Sequence, residues 1–291
     1  MDLRQPVSEF LTYCRLVRRV TPRTERLYTI YLDRWVLFWA PEGRAGKVPD
    51  PRVVERFLAS QARRGLGDAA IRSAYGILRA FFRWAAARQL MQDPTIFMKP
   101  PLCHDSPRLV VDDEGAAQLF AAVKRSGRVH AQRDHAALAV CYYAGLRVTE
   151  ALQLQPEAVD LRAGVIHVLG KGGKRRDVPL HPALSKILGA WLRVRPRSSP
   201  WLFPAQARHR DVGGPLDSFR LRTVLRRVYG PRAGLRRVTP HALRRGAATV
   251  LRRRGVPIEY VQRFLGHSQV ETTRRYIGDT PEELRDAVRK L

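Results

Sequence analysis

Cysteine is scarce in this sequence, and the few cysteines present form no recognisable pair. Cys14, Cys103 and Cys141 are far apart and odd in number, so we expect neither a disulfide framework nor a zinc site. Long apolar runs are also missing, since the most apolar stretch, AALAVCYYAGL, is too short to span a bilayer. The first ten residues lack the apolar centre of a signal peptide. We therefore expect a cytoplasmic protein without a membrane anchor.

Acidic residues are few as well. The 291 residues include 53 Lys and Arg against 26 Asp and Glu, which gives a formal net charge of +27. The excess is spread along the chain, because residues 1–100 carry a net +9 and residues 101–291 carry the other +18. A bias toward arginine would explain the choice of basic residue but not the shortage of acids. Because such a chain repels itself, the expected partner is a polyanion, and nucleic acid is the leading candidate.

Two common catalytic motifs are absent. The segment GKGGKR is rich in glycine but does not match the phosphate-binding loop G-x-x-x-x-G-K-[ST], so nothing in it indicates ATP use. The acidic run from Asp112 to Glu114 is more typical of a helix start than of a metal site. No other carboxylate cluster suggests two-metal catalysis. We expect neither a cofactor nor a metal.

What is present begins with helical patterns in the first hundred residues. Thr21-Pro22 and Asp50-Pro51 each have the form of an N-cap followed by the first helical residue. Two segments then place apolar residues at helical spacing. The first segment has Leu27, Tyr31, Trp35 and Phe38, and the second has Ile71, Ala74, Leu78, Phe81, Phe82 and Ala85.

An arginine stripe lies on another face of the second of these segments. Arg72, Arg79 and Arg83 share this face, which is either an ordinary solvated surface or a phosphate-contacting one. The total charge of the chain favours the phosphate-contacting interpretation.

The chain is predicted to have two domains. Residues 93–110 contain four prolines and no clear period, which is typical of a linker. We predict a helical domain over 1–93, a linker over 94–107, and a mixed domain over 108–291 that ends in a tail helix, 280–291. In the mixed domain, residues 133–154 read as one apolar helix with a glycine inside, and VIHVLG and DVPL as two strands around the turn KGGKRR. The fold class is mainly α with a small β-sheet (α+β).

Several polar residues of the mixed domain stand at unusual positions, although each has an ordinary explanation when taken singly. Arg147, just beyond the apolar run, is explained equally well by a structural salt bridge with Glu150. Lys171 has a rival, Lys174, in the same predicted turn. Together they suggest phosphoryl transfer, because arginines clamp a phosphodiester, histidines move protons and a tyrosine near cations forms a nucleophilic phenolate. The set is Arg147, Lys171, His241, Arg244, His267 and Tyr276.

Four segments carry a resemblance to a known family. AGLRVTEAL, GKGGKRRDVPL, HALRRGAATVL and LGHSQVETTRRYI resemble, in this order, the signature boxes of tyrosine recombinases, the phage-integrase family. WLFP, residues 201–204, also suits the family, and the resemblance covers nearly the whole chain. It implies a helical core-binding domain and a catalytic domain that close as a C-shaped clamp on DNA. Arg245 stands where the family often has histidine, at a position that is not itself catalytic.

The resemblance also implies a role for each site residue. Two arginines hold the scissile phosphate, two histidines assist them, a lysine protonates the leaving 5′-hydroxyl, and a tyrosine forms a 3′-phosphotyrosyl link. A glutamate orients the arginine site. In that order these residues are Arg147 and Arg244, His241 and His267, Lys171, Tyr276, and Glu150.

The assembly follows from the same resemblance. Four protomers act on paired half-sites of two DNA duplexes, and strand exchange proceeds through a Holliday junction, with accessory proteins as a further class of partner. The tail helix, residues 280–291, either docks on a neighbouring protomer or packs on its own domain. Because the chain begins almost directly with core-binding helices, we expect a compact Xer-like recombinase. A type IB topoisomerase and a non-catalytic DNA-binding protein remain the alternatives.

Overall fold

The structure has two compact units and is largely helical. The computed structural model describes residues 2–44, 47–104, 109–170, 175–205 and 213–266. Backbone contacts divide the chain into Met1–Ser106 and Pro107–Leu291. Most described residues are helical, and the strands form one three-stranded sheet, which confirms the predicted fold class. Of the helices in these ranges, none combines the length and the apolar character needed to cross a bilayer.

Four helices form the described part of the first unit, and two of them begin at the predicted N-caps. Asp50 Oδ1 accepts a hydrogen bond from Val53 N at 2.8 Å, and Thr21 Oγ1 accepts one from Thr24 N at 3.3 Å. These side chains satisfy amides that have no partner within the first turn of a helix. The bounds are α1 Arg4–Leu16, α2 Pro22–Arg44, α3 Pro51–Arg63 and α4 Asp68–Ala87.

An aromatic cluster forms the core of the first unit. Trp35 is fully buried and meets Phe57 and Phe82 edge to face, with ring centroids 5.3 and 5.6 Å apart. The predicted apolar stripe of α4 packs into this core, as its helical spacing indicates. Leu27, at helical spacing with Tyr31 and Trp35, is 43% exposed and lies at the edge of this core. At that end of α2 the packed face passes through Tyr28, which stacks on Phe10.

The second unit is built around a buried helix. The central helix, α6, is buried over almost its whole circumference and packs against α5, α8 and α11. The helix bounds are α5 Asp113–Lys124, α6 Ala131–Tyr143, α7 Val148–Leu152, α8 Pro182–Val194, α9 Ser218–Val224, α10 Gly230–Arg232, α11 Pro240–Arg253 and α12 Ile258–Leu265. A π-helical turn, Leu225–Tyr229, joins α9 to α10, and a 3-10 turn, Pro156–Ala158, follows α7.

The capping chemistry of the second unit agrees with the sequence. Asp112 Oδ1 accepts a hydrogen bond from Gly115 N at 2.9 Å, so the acidic run caps α5 as predicted. Thr239 Oγ1 accepts one from Ala242 N at 3.1 Å and starts α11. Gly266 ends α12 in the left-handed conformation, with φ +61°, where glycine has no steric cost.

The prediction of one continuous helix over residues 133–154 was wrong. The chain leaves α6 after Tyr143 and enters α7 at Val148, and Gly145 lies between them with φ +58°. A Cβ at Gly145 would come within 2.4 Å of the Phe264 ring, so the turn requires glycine for both conformation and space. The segment carries no polar stop signal, because the turn is buried and its neighbours are apolar.

The small sheet is an antiparallel meander. β2 (Val165–Leu169) and β3 (Arg175–Pro179) form the predicted hairpin, with Ile166 opposite Val178. A two-residue strand, β1 (Val159–Asp160), pairs with β2 and was not predicted. Alternation along β2 and β3 buries Ile166, Val168 and Val178 on one face.

Candidate active site

The structure describes some of the expected site residues and not others. Arg147, Glu150, His241 and Arg244 are all described and belong to the second unit. Lys171, His267, Tyr276 and the tail helix expected over residues 280–291 lie outside the described residues. The site is therefore built here from the arginines, the glutamate and the end of α12.

Glu150 is fixed at the start of α7, where it also binds the first expected arginine. Arg147 occupies the N-cap position, and its backbone N donates to Glu150 Oε2 at 2.9 Å. The Arg147 Nη1 donates to Glu150 Oε1 at 2.7 Å. The salt bridge that sequence reasoning offered as the ordinary explanation for Arg147 is thus present. This salt bridge does not bury the Arg147 side chain, which is 39% exposed, whereas the Glu150 side chain is 8% exposed.

Arg244 approaches the same carboxylate from α11. Its side chain is 1% exposed, and its two Nη atoms donate to backbone carbonyls, Nη2 to Leu265 O at 2.7 Å and Nη1 to Gly145 O. Nη1 also lies 3.9 Å from Glu150 Oε2. The break between α6 and α7 makes this possible, since a continuous helix would keep the Gly145 carbonyl in its own hydrogen-bond ladder.

A third arginine, Arg176 on β3, completes the cluster and was missed by sequence reasoning. Its Nη2 donates to Glu150 Oε2 at 2.9 Å, and its Nη1 lies 3.5 Å from Oε1. The side chain is 17% exposed. Its only signal in the sequence is its place in a strand that alternates burial, and many surface strands have such arginines. We call Arg147, Glu150, Arg176 and Arg244 the arginine cluster.

The end of α12 is part of the same arrangement. Arg244 holds the carbonyl of Leu265, and Arg147 Nη2 lies 3.5 Å from the carbonyl of Gly266. The next residue in the chain is His267. Two arginines that are far apart in sequence therefore fix the point at which the segment carrying His267 and Tyr276 begins.

The electrostatics of the cluster favour an anion. Burial raises the pKa of Glu150, but hydrogen bonds from Arg176 and then Arg147 outweigh this, and the pKa is held below its ordinary value of 4.5. Glu150 is thus ionised at neutral pH. Among the described residues, one carboxylate stands against three guanidinium groups, and this concentration of positive charge favours the binding of a phosphate in a site of low dielectric constant.

His241 lies one turn before Arg244 on α11. It is exposed, at the second residue of the helix. Residues three apart on a helix share a face, so His241 and Arg244 are on the same face of α11. His241 is exposed, whereas Arg244 is buried.

The predicted arginine stripe is on α4, in the first unit. Arg72 and Arg83 are exposed and Arg79 is half-buried. The apolar side chains of α4 are on the opposite, packed face. Arg72 and Arg83 therefore form the exposed part of the stripe, and Arg79, between them on α4, is only partly at the surface.

Comparison with protein families gives two matches that together cover most of the chain. A model described as the phage integrase family matches residues 110–283. A second model, described as the phage integrase N-terminal SAM-like domain, matches residues 7–89.

Individual relatives agree with these matches. The chain is 34% identical to tyrosine recombinase XerA of Thermococcus kodakarensis over 98% of this chain and 94% of that protein. It is 31% identical to tyrosine recombinase XerC of Mycobacterium leprae over 90% and 91%. The solved structure of the Tn1549 transposon integrase in complex with circular intermediate DNA has the same fold, with a TM-score of 0.77, 19% identity and 99% coverage of both chains. None of these similarities favours a topoisomerase or a non-catalytic DNA-binding protein.

Proposed function

We propose that this chain, which belongs to the phage integrase family of tyrosine recombinases, cleaves and rejoins DNA through a covalent bond between Tyr276 and a DNA phosphate. The family confirms the resemblance seen in the four sequence motifs and makes the chain a site-specific DNA recombinase. The proposal concerns which residues perform the reaction. It rests mainly on one observation, the convergence of Arg147 and Arg244 on Glu150 beside the end of α12.

The arginine cluster would act on the scissile phosphate. Arg147 is partly exposed and reaches the phosphate, while the buried Arg244 adds charge to the same place. Because these positive charges are already in position, they stabilise the negative charge that develops on the phosphate oxygens in the transition state, and the site does not have to reorganise. His241, exposed beside Arg244, and His267 would donate hydrogen bonds to the same oxygens.

Tyr276 and Lys171 would make and break the bonds. The Tyr276 phenolate attacks phosphorus, the bond from phosphorus to the 5′-oxygen breaks, and the leaving oxygen takes a proton from Lys171. A 5′-hydroxyl from another strand reverses the attack and releases the tyrosine. The phosphotyrosyl link retains the energy of the broken bond, so the cycle needs no nucleotide.

DNA binding and assembly complete the proposal. The Arg72, Arg79 and Arg83 stripe on α4 would contact the backbone of double-stranded DNA, as the net charge of +27 favours. Paired half-sites would bring four protomers together, with exchange through a Holliday junction and the tail helix docked on a neighbour. In the cell, the protein would be associated with the DNA that carries these sites.

The decisive experiment is the capture of a protein–DNA adduct. A binding site is first selected from a random DNA pool, and a nicked suicide substrate is then made from it. We expect a covalent adduct that survives denaturant. Tyr276→Phe should lose the adduct entirely and keep its dissociation constant for DNA within about twofold, because only one oxygen is removed.

Tyr260→Phe is the matched control for this test. Tyr260 is on α12 and is 62% exposed, and its loss should leave adduct formation unchanged. An adduct that persists in Tyr276→Phe would identify a different nucleophile. Equal loss in both tyrosine variants would point to damage of the fold instead of the reaction.

A further inference from the structure

The side chain of Arg176 links three parts of the second unit. It projects from β3, opposite Val168 in the hairpin. It binds Glu150 at the start of α7 through two Nη atoms, at 2.9 and 3.5 Å. In the sequence, Lys171 lies between β2 and β3, the two strands of the hairpin that carries Arg176. A movement of this guanidinium would therefore change the position of both the Glu150 carboxylate and strand β3.

The guanidinium also packs directly against Gly266. A Cβ at Gly266 would come within 2.7 Å of Arg176 Cζ, 2.8 Å of Nε and 2.9 Å of Nη1. Three guanidinium atoms at this distance mean that the plane of the group lies against the glycine. Gly266 is the residue at which the chain leaves α12 with φ +61° and continues to His267. We call this point, where the chain leaves α12, the Gly266 corner. Arg176 packs against it, while Arg147 and Arg244 contact the backbone carbonyls of Gly266 and Leu265.

We propose that Arg176 is a positioning residue for the recombinase reaction, fixing both the Glu150 carboxylate and the Gly266 corner from which the segment with His267 and Tyr276 departs. The inference rests on the proposed function, because its importance depends on those residues acting at the phosphate. Arg176 does not itself touch the phosphate in this proposal. It acts by holding the groups that do.

An arginine suits this role and a lysine does not. The guanidinium is planar, so it donates to both oxygens of one carboxylate while its face packs on a flat surface. A lysine would supply the charge and its N–H donors from a single nitrogen, but neither the planar pair of contacts to both carboxylate oxygens nor the flat face. Errors of about 1 Å in positioning reduce rates by up to about 100-fold, so a loosened corner should slow the reaction severely.

The test compares Arg176→Ala and Arg176→Lys with Arg175→Ala in the full chain. Arg175 is the preceding residue of the same strand, is exposed, and has the same charge. The measurements are the rate of adduct formation on the nicked suicide substrate at saturating protein and the dissociation constant for DNA. We expect Arg176→Ala to slow adduct formation at least about tenfold, with Arg176→Lys intermediate, and the dissociation constant to change less than about threefold.

The control fixes the meaning of the result. Arg175→Ala should form the adduct at the wild-type rate. If Arg176→Ala is as fast as Arg175→Ala, the positioning role is overturned. If wild type forms an adduct and Arg176→Ala loses DNA binding in proportion to its rate, the role is also overturned, because the residue then serves binding. A wild type that forms no adduct would count against the proposed function.

A second measurement needs no cleavage and tests the contact with Gly266. Gly266→Ala and Gly255→Ala both place alanine at positive φ, but Gly255 has nothing within 4 Å of the new Cβ. Gly266→Ala should therefore lower the urea midpoint more than Gly255→Ala. In an Arg176→Ala background the added loss should vanish, since the guanidinium is gone. An undiminished loss there would show that Arg176 does not support this corner.

Discussion

At the scale of single residues, the chemistry of the site depends on Glu150. Three arginines surround its carboxylate, which is 8% exposed. Guanidinium groups so close together repel one another, and their common carboxylate is what allows them to share one place. The resemblance gives Glu150 only an accessory role, but its negative charge is what allows the three arginines to lie so close together.

Glu150→Gln tests this requirement through the pH dependence of stability. Glutamine keeps the shape but leaves the arginine charges uncompensated, and loss of one partner of a buried ion pair costs about 3 kcal/mol or more. Because the folded pKa of Glu150 lies below 4.5, its contribution is complete above that pH and is lost as the pH falls through the folded pKa. Urea unfolding from pH 7 to pH 3 should show a gap between wild type and variant that narrows below about pH 4.5.

The exposed Glu157 provides the control for that measurement. Glu157→Gln removes a carboxylate at the surface of the same unit, and such changes usually alter the free energy of unfolding by less than about 0.5 kcal/mol. A gap for Glu150→Gln that is absent at pH 7, or that keeps its full size at pH 3, would contradict the electrostatic account.

At the scale of elements, α11 owes its place to a glycine in the motif HALRRGAATVL. A Cβ at Gly246 would come within 1.7 Å of the Val111 carbonyl oxygen, so the helix packs against the backbone just before α5. This close approach sets the depth of α11 and hence of Arg244, two residues earlier. Only glycine leaves room for it.

Gly246→Ala should therefore destabilise the protein although alanine favours helices. We expect a loss of about 3 kcal/mol in the free energy of unfolding, since overpacking against backbone is poorly relieved. Gly189→Ala in α8 is the matched control, because its Cβ would meet only Leu161 Cδ1 at 3.7 Å. That variant should gain up to about 1 kcal/mol from helix propensity. Urea unfolding of both variants should give changes of opposite sign, and a stable Gly246→Ala would refute the packing argument.

The sequence predicted those elements whose signals are local. The caps at Thr21, Asp50 and Asp112 act on amides within a few residues, so they are visible in the sequence. The break at Gly145 was not predicted, because it depends on Phe264 of α12. Gly145 is itself a residue type that often ends a helix, but nothing else nearby in the sequence distinguishes a break from a glycine inside a continuous helix.

The site shows the same division between local and distant signals. Arg147 and Glu150 are three residues apart, so their pairing followed from the sequence and is present in the structure. Arg176 lies 26 residues from Glu150, and no spacing rule connects a strand residue to the start of a helix across that distance. The roles of Lys171, His267 and Tyr276 remain predictions that come from resemblance.

At the scale of the whole molecule, the net charge of +27 favours association with DNA. Charge alone attracts a polyanion without defining an interface. Interactions between exposed charges are screened beyond about 10 Å at 0.1 M salt, so the arginines that touch phosphates should be separable from those that only add to the total. The separation requires two variants with equal net charge.

Replacing Arg72, Arg79 and Arg83 together by glutamine should weaken DNA binding and flatten its salt dependence. Each phosphate contact contributes about 0.9 to the slope of log K against log salt concentration, so three contacts predict a decrease of about 2 to 3. The control replaces Arg52, Arg56 and Arg63 by glutamine. These arginines are exposed on α3, and their replacement lowers the net charge by the same amount. Fluorescence anisotropy between 50 and 200 mM KCl should show a much smaller decrease for the control. Equal decreases in the two variants would mean that α4 presents no phosphate-contacting face, and that binding follows the total charge alone.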